Sequence, residues 1–75
     1  MSEEEVLKWV NDNVCDYEPE WTDYDVDQAV SDMLYNFFTD ELDIDVTPHE
    51  EHEIDWVHKE LLVNTFKKMW LEYYN

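Results

Sequence analysis

Glycine and arginine are both absent from the 75 residues, and cysteine occurs once. Phosphate-cradling loops and nucleophile elbows are built on glycine, so neither is available here. Turns fall to Pro, Asn, Asp and Thr, and helices must end without the usual left-handed glycine. Arginine is the preferred residue for paired recognition of phosphate and guanine. Its absence, with four lysines against 21 acids and a net charge of −17, argues against nucleic acid or an anionic membrane as a direct partner. A lone Cys15 allows no intrachain disulfide and fits a reducing compartment. No apolar run approaches the ~20 residues of a membrane span. The start, Met1-Ser2-Glu3-Glu4-Glu5, is the opposite of a basic leader, so a cytoplasmic location is expected.

What is present is apolar and aromatic. Hydrophobic residues make up 44% of the chain and aromatics 16%, too many for a disordered acidic polymer. One folded domain over residues 1–75 is expected, near the lower size limit for independent stability. Ser2-Glu3-Glu4-Glu5 has capping-box form, and Val6, Val10 and Val14, with Leu7 beside them, follow at helical spacing to about Asn13. Cys15 to Trp21 reads as a connector, because Pro19 disfavours helix at Glu18. A second helix is expected from Thr22, with Asp25 as the acid of its box. Val26, Ala29, Val30, Met33, Leu34, Phe37 and Phe38 form its apolar stripe, and Asp25, Asp32 and Asn36 face the other way.

Leu42-Asp43-Ile44-Asp45-Val46 alternates apolar and acidic residues, the pattern of a short strand or an extended arm. Thr47-Pro48-His49-Glu50 then opens a third helix with a capping residue, a first-position proline and a third-position glutamate. Ile54, Val57, Leu61, Leu62, Phe66, Met69, Trp70 and Tyr73 continue its stripe. Unbroken to Tyr74, this helix would be ~40 Å long at ~1.5 Å per residue. Trp56, Val63, Leu71 and Tyr74 lie off the stripe, which suggests an additional neighbour, namely a second subunit. The fold expected is all-α, with three helices and a short extended segment before the last, as a homodimer. An α+β fold with a strand at 42–46 is the alternative. Phe37, Phe38, Leu62, Phe66, Met69, Trp70 and Tyr73 are the core or dimer residues, while Tyr17, Trp21, Tyr24 and Tyr35 suit either core or interface.

Charge is unevenly placed. Fifteen acids and no lysine lie between Asp16 and Asp55, whereas three lysines and two glutamates follow from Lys59 onward. Only Asp55–Lys59 and Lys68–Glu72 offer i,i+4 pairs in the long helix. So many carboxylates without counterions point to a positive partner outside the chain. Acids at i and i+4 rise ~6 Å along a helix, near every second phosphate of a DNA strand that rises ~3.4 Å per step. In size, acidity, aromatic content and helicity the chain resembles the small DNA-mimic inhibitors that bacteriophages make during host takeover. These share no sequence motif, so the resemblance carries over no residue. It implies occupation of a DNA-binding surface, often by a homodimer, in a bacterial cytoplasm. The partners it implies are an HU-type nucleoid protein, a restriction or CRISPR nuclease, or RNA polymerase. The acids expected to stand in for phosphates are Asp23, Asp25, Asp27, Asp32, Asp40, Glu41, Asp43, Asp45, Glu50 and Glu51.

Other chemistry is less well supported. Asp23-x-Asp25-x-Asp27 opens like a calcium loop, but Gln28 replaces the required glycine and Leu34 the closing glutamate. His49, His52 and Glu53 share a helical spacing suited to zinc, although exposed histidines at an acidic helix start are the simpler reading. Cys15 reads as a small packing residue. No metal, cofactor or catalysis is expected. The competing function is a helical adaptor or regulatory subunit that docks through its apolar third helix.

Overall fold

The computed structural model describes residues 1–19, 23–47 and 49–74. Three helices, α1 (Glu3–Asn13), α2 (Val26–Asp40) and α3 (Lys59–Tyr74), carry the fold. Single 3-10 turns at Val14–Tyr17 and Glu50–His52 join them, and the described residues contain no strand.

α1 starts as its sequence dictates. The Ser2 hydroxyl accepts from the Glu5 amide, and the Glu5 carboxylate reaches back to the Ser2 amide. Val6, Val10 and Val14 then fall on one face and are fully buried. α2 is capped by Asp25, whose carboxylate accepts the Gln28 amide at 3.0 Å. The expected cap, Thr22, lies outside the described residues, and Asp25 serves as the cap itself rather than as the third residue of a box. Asp25→Ala and Ser2→Ala are each expected to cost about 1 kcal/mol in chemical denaturation, the usual worth of an N-cap. A loss no larger than that of an exposed Glu4→Ala control would contradict this.

The core is one cluster. The α2 stripe of Ala29, Val30, Met33, Leu34, Phe37 and Phe38 meets the α1 valines and Leu62, Phe66 and Trp70 of α3. Trp9 and Trp56 stand edge-on or tilted against Phe37, at 4.9 and 5.2 Å between ring centres. The alternation at 42–46 survives without a strand. Val46 is buried, Leu42 and Ile44 are half-buried, and Asp43 and Asp45 are exposed. The segment leaves α2 through Asp43 at φ 52, and the Ile44 amide bonds back to the Phe38 carbonyl at 2.8 Å. With no glycine to use, the chain takes aspartate, one of the few residues that tolerates the left-handed region.

The third helix is shorter than its sequence pattern. Glu50 does reach back to the Thr47 amide at 3.4 Å, but helical structure lasts only through His52 and resumes at Lys59. Pro48 lies outside the described residues. A continuous helix of ~40 Å would overrun a globule whose longest extent is 30 Å. The break lets Trp56 turn onto Phe37 and Phe38, and leaves Val57, expected in the stripe, 83% exposed. Leu62, Phe66 and Trp70 are core, and Met69 packs against it. Tyr73 is 60% exposed and is not core, because it falls on the outer side of the last turn. The off-stripe Trp56, Val63 and Tyr74 pack on the chain's own core, so they do not call for a second subunit. No helix among the described residues is long and apolar enough to cross a membrane.

Candidate cation-binding face

Two side chains of α3 place the connector. Trp70 Nε1 donates to the Tyr17 carbonyl at 2.7 Å, and the Tyr74 hydroxyl, one turn later, donates to the Cys15 carbonyl at 3.0 Å. These bonds press the Val14–Tyr17 turn against the helices and bury the Tyr17 ring edge-on against Phe66 at 5.3 Å. Cys15 itself is exposed, contrary to its reading as a packing residue, because the turn directs Val14 and Tyr17 inward instead.

Between this turn, the polar face of α2 and the Glu50–His52 turn lies a cavity of about 510 Å³. Its acids are Asp16, Glu18, Asp32 and Glu51, and three tyrosines, Tyr17, Tyr24 and Tyr35, stand in its wall. A second cavity of about 330 Å³ shares Asp16, Tyr17 and Asn36 with the first and adds Asp40 and Glu41. Asn36 Nδ2 donates to the Tyr17 hydroxyl at 3.1 Å, and the Tyr24 hydroxyl donates to Asp32 at 3.1 Å. Glu41 is held by Trp9 Nε1 at 3.0 Å.

The electrostatics are those of a negative cleft. Burial raises the Tyr17 phenol above its ordinary value; the Asn36 bond opposes this, and the charges of Asp16, Asp32 and Asp40 add to the rise. Folded protein therefore keeps this proton where unfolded chain has lost it. The stabilisation is complete below about pH 10 and falls as pH climbs through the raised value. Tyr17→Phe should thus lose less stability than wild type between pH 9 and 11, as read by urea unfolding at each pH. Parallel pH profiles for the two proteins would refute the assignment.

Glu51 is the exceptional acid. It is only 2% exposed, so it is not a surface phosphate stand-in as the sequence suggested. The 3-10 turn points it inward, where Oε1 accepts the Ser31 hydroxyl at 2.6 Å and lies 3.6 Å from His52 Nε2. Oε2 is buried with no hydrogen-bond partner among the described residues. Burial pushes this carboxyl up, but the Ser31 bond, hydrogen bonding from the Glu51 and His49 backbone amides and the nearby His52 outweigh it, so the net shift is downward.

Of the other expected acids, Asp32 enters the first cavity and Asp40 and Glu41 the second. Asp23, Asp25, Asp27, Asp43, Asp45 and Glu50 are exposed and line neither cavity. Sequence reasoning missed Asp16 and Glu18. The available signal was a tyrosine flanked by two acids, next to a helix whose polar face repeats Gln28, Asp32 and Asn36 at i, i+4 and i+8. Among the described residues, no three His, Cys, Asp or Glu side chains converge on a metal position.

No family model, curated protein or solved structure matches the chain. What the face can do is therefore read from its own side chains: a row of carboxylates, some exposed and some recessed among tyrosines, suited to cationic groups.

Proposed function

We propose that the chain is a binding protein that offers its acidic face to a basic DNA-binding protein and there takes the place of duplex DNA. The observation that carries this is how little of the charge is neutralised internally. Among the described residues the ion pairs are Lys8–Asp12 at 3.4 Å and His52–Glu51 at 3.6 Å, the latter only when His52 is protonated. Lys59, the expected partner of Asp55, instead donates to the His52 carbonyl at 2.6 Å. Unpaired like charges raise the energy of the compact state, and a basic cleft is the kind of partner that would relieve that cost. The same cleft binds DNA by neutralising phosphates. Candidate targets remain an HU-type nucleoid protein, a restriction or CRISPR nuclease, or RNA polymerase.

The homodimer expected through α3 retains Leu71, 41% exposed, and Tyr73 as apolar contacts. The same two residues are what the adaptor reading has to work with. The direct test is release of a labelled DNA duplex from each class of target by the purified chain, at about 50 mM and about 300 mM salt. Displacement at low salt that is lost at high salt is expected. Failure to displace duplex from all of these targets, with binding abolished by Tyr73→Ala in any partner found, would replace mimicry with the adaptor.

A further inference from the structure

The buried Glu51 carboxylate has a consequence for what enters the cavity beside it. A native structure rarely leaves a buried polar oxygen unpartnered, and a buried charge is stable only when paired and hydrogen-bonded. Glu51 Oε2 has no hydrogen-bond partner among the described residues, while Oε1 holds the Ser31 hydroxyl and the Glu51 and His49 amides favour the ionised carboxyl. Among the described residues its one ion-pair partner is His52, largely solvent-exposed and charged only when protonated, while Lys59 is held by the His52 carbonyl. Asp32 lines the same cavity from α2, and Asp16 and Glu18 line it from the connector. Its volume of about 510 Å³ falls in the ~300–1,000 Å³ range of small-ligand sites, ample for one long side chain.

We propose that this cavity seats the guanidinium of a single arginine from the basic partner, with Glu51 Oε2 and Asp32 as its acceptors and tyrosines as its walls. Three features select this group. Acceptors supplied by two different elements suit a planar fork of five donors better than a compact ammonium. Guanidinium is more weakly hydrated than ammonium and tolerates both desolvation and aromatic surroundings. A divalent cation is not favoured, since no three ligating side chains converge among the described residues. The arginine-free sequence has no such group of its own to place there.

This inference rests on the reading of the chain as a binder of basic proteins, but it is tested without any such protein. The full chain, isotopically labelled, is titrated with Nα-acetyl-arginine methylamide at constant ionic strength and followed by amide chemical shifts. Saturable shifts centred on Ser31, Asp32 and Glu51 are expected, with the corresponding lysine probe clearly weaker. Glu51→Gln, which keeps the shape and removes the charge, should weaken the arginine probe about tenfold or more, the scale of one charge-assisted hydrogen bond. Asp43→Asn and Asp45→Asn, outside the cavity, should change it less than about twofold. Circular dichroism checks that Glu51→Gln is folded; if it is not, Asp32→Asn, whose amide oxygen still accepts from Tyr24, is used in its place with the same expectation. Shifts that rise linearly and spread over every acidic segment would overturn the seat, as would full affinity in the charge-neutral variant. Equal binding of the lysine probe would overturn its assignment to guanidinium. If the arginine probe fails while the chain still displaces DNA, the seat falls and mimicry stands. Probe binding without displacement from any target has the opposite meaning.

Discussion

Phe66→Ala is expected to remove about 3–5 kcal/mol of stability, the cost of an aromatic deletion in a close-packed core. For a chain of this length, at roughly 0.05–0.15 kcal/mol per residue, that is a large part of the total. Phe66 is fully buried at the meeting of the three helices, and its ring is the surface on which Tyr17 rests at 5.3 Å. Its removal therefore opens a void in the core and loosens the connector that forms one wall of the acidic cavity. Unfolding in urea, monitored by tryptophan fluorescence, should show a much lower midpoint, and near-ultraviolet dichroism should weaken before helical content does. A midpoint within about 1 kcal/mol of wild type would mean that Phe66 is not part of the principal core.

Replacing Asp23, Asp40, Asp43 and Asp45 together by asparagine should move stability and partner affinity in opposite directions. No hydrogen bond or ion pair of any of the four side chains occurs among the described residues, and all four are exposed. Asparagine tolerates the left-handed backbone of Asp43 as well as aspartate does. Asp40 sits at the negative end of the α2 dipole, where a neutral residue is preferred. The formal charge changes from −17 by four. Relief of repulsion at ~0.2–0.5 kcal/mol per site corresponds to a rise in Tm of several degrees for a domain this small. The same four charges at a partner's rim, at ~0.2–1 kcal/mol each, correspond to a loss of affinity at low salt of about 4-fold to several-hundred-fold. At about 1 M salt, where the screening length is ~3 Å, the difference should nearly vanish. A higher Tm with unchanged affinity would show that these acids serve solubility only, and the adaptor reading would then hold.

The two predictions separate the parts of the chain by what fixes them. Short-range signals were legible. Ser2 and Glu5 form their box because both partners lie within one turn. The α1 valines and the α2 stripe are buried because helical spacing alone puts them on one face. Where the sequence pattern and the structure diverge, the cause is distance along the chain. The residues from Thr47 carry a helix-start signal, yet a straight helix does not fit a globule this small, and Trp56 gains more by folding back onto two phenylalanines. Tyr73 keeps the stripe's periodicity but comes after the core has ended.

The candidate face shows the same division. That few acids would find a lysine partner could be read from the sequence, because the lysines cluster where the acids are few. That Glu51 is withdrawn from the surface while its neighbour Glu50 stays exposed depends on Ser31, 20 positions earlier, reaching it across the fold. That Asp16 and Glu18 join Asp32 around one cavity depends on Trp70, 53 positions from Tyr17, holding the connector by its carbonyl. Composition and periodicity by themselves determined an acidic, helical, aromatic-cored chain with its charge left free. Which carboxylate was buried, and which acids came to share a cleft, was decided only by tertiary structure. Those choices follow from hydrogen bonds and ring contacts between residues far apart in sequence, on which no local pattern bears.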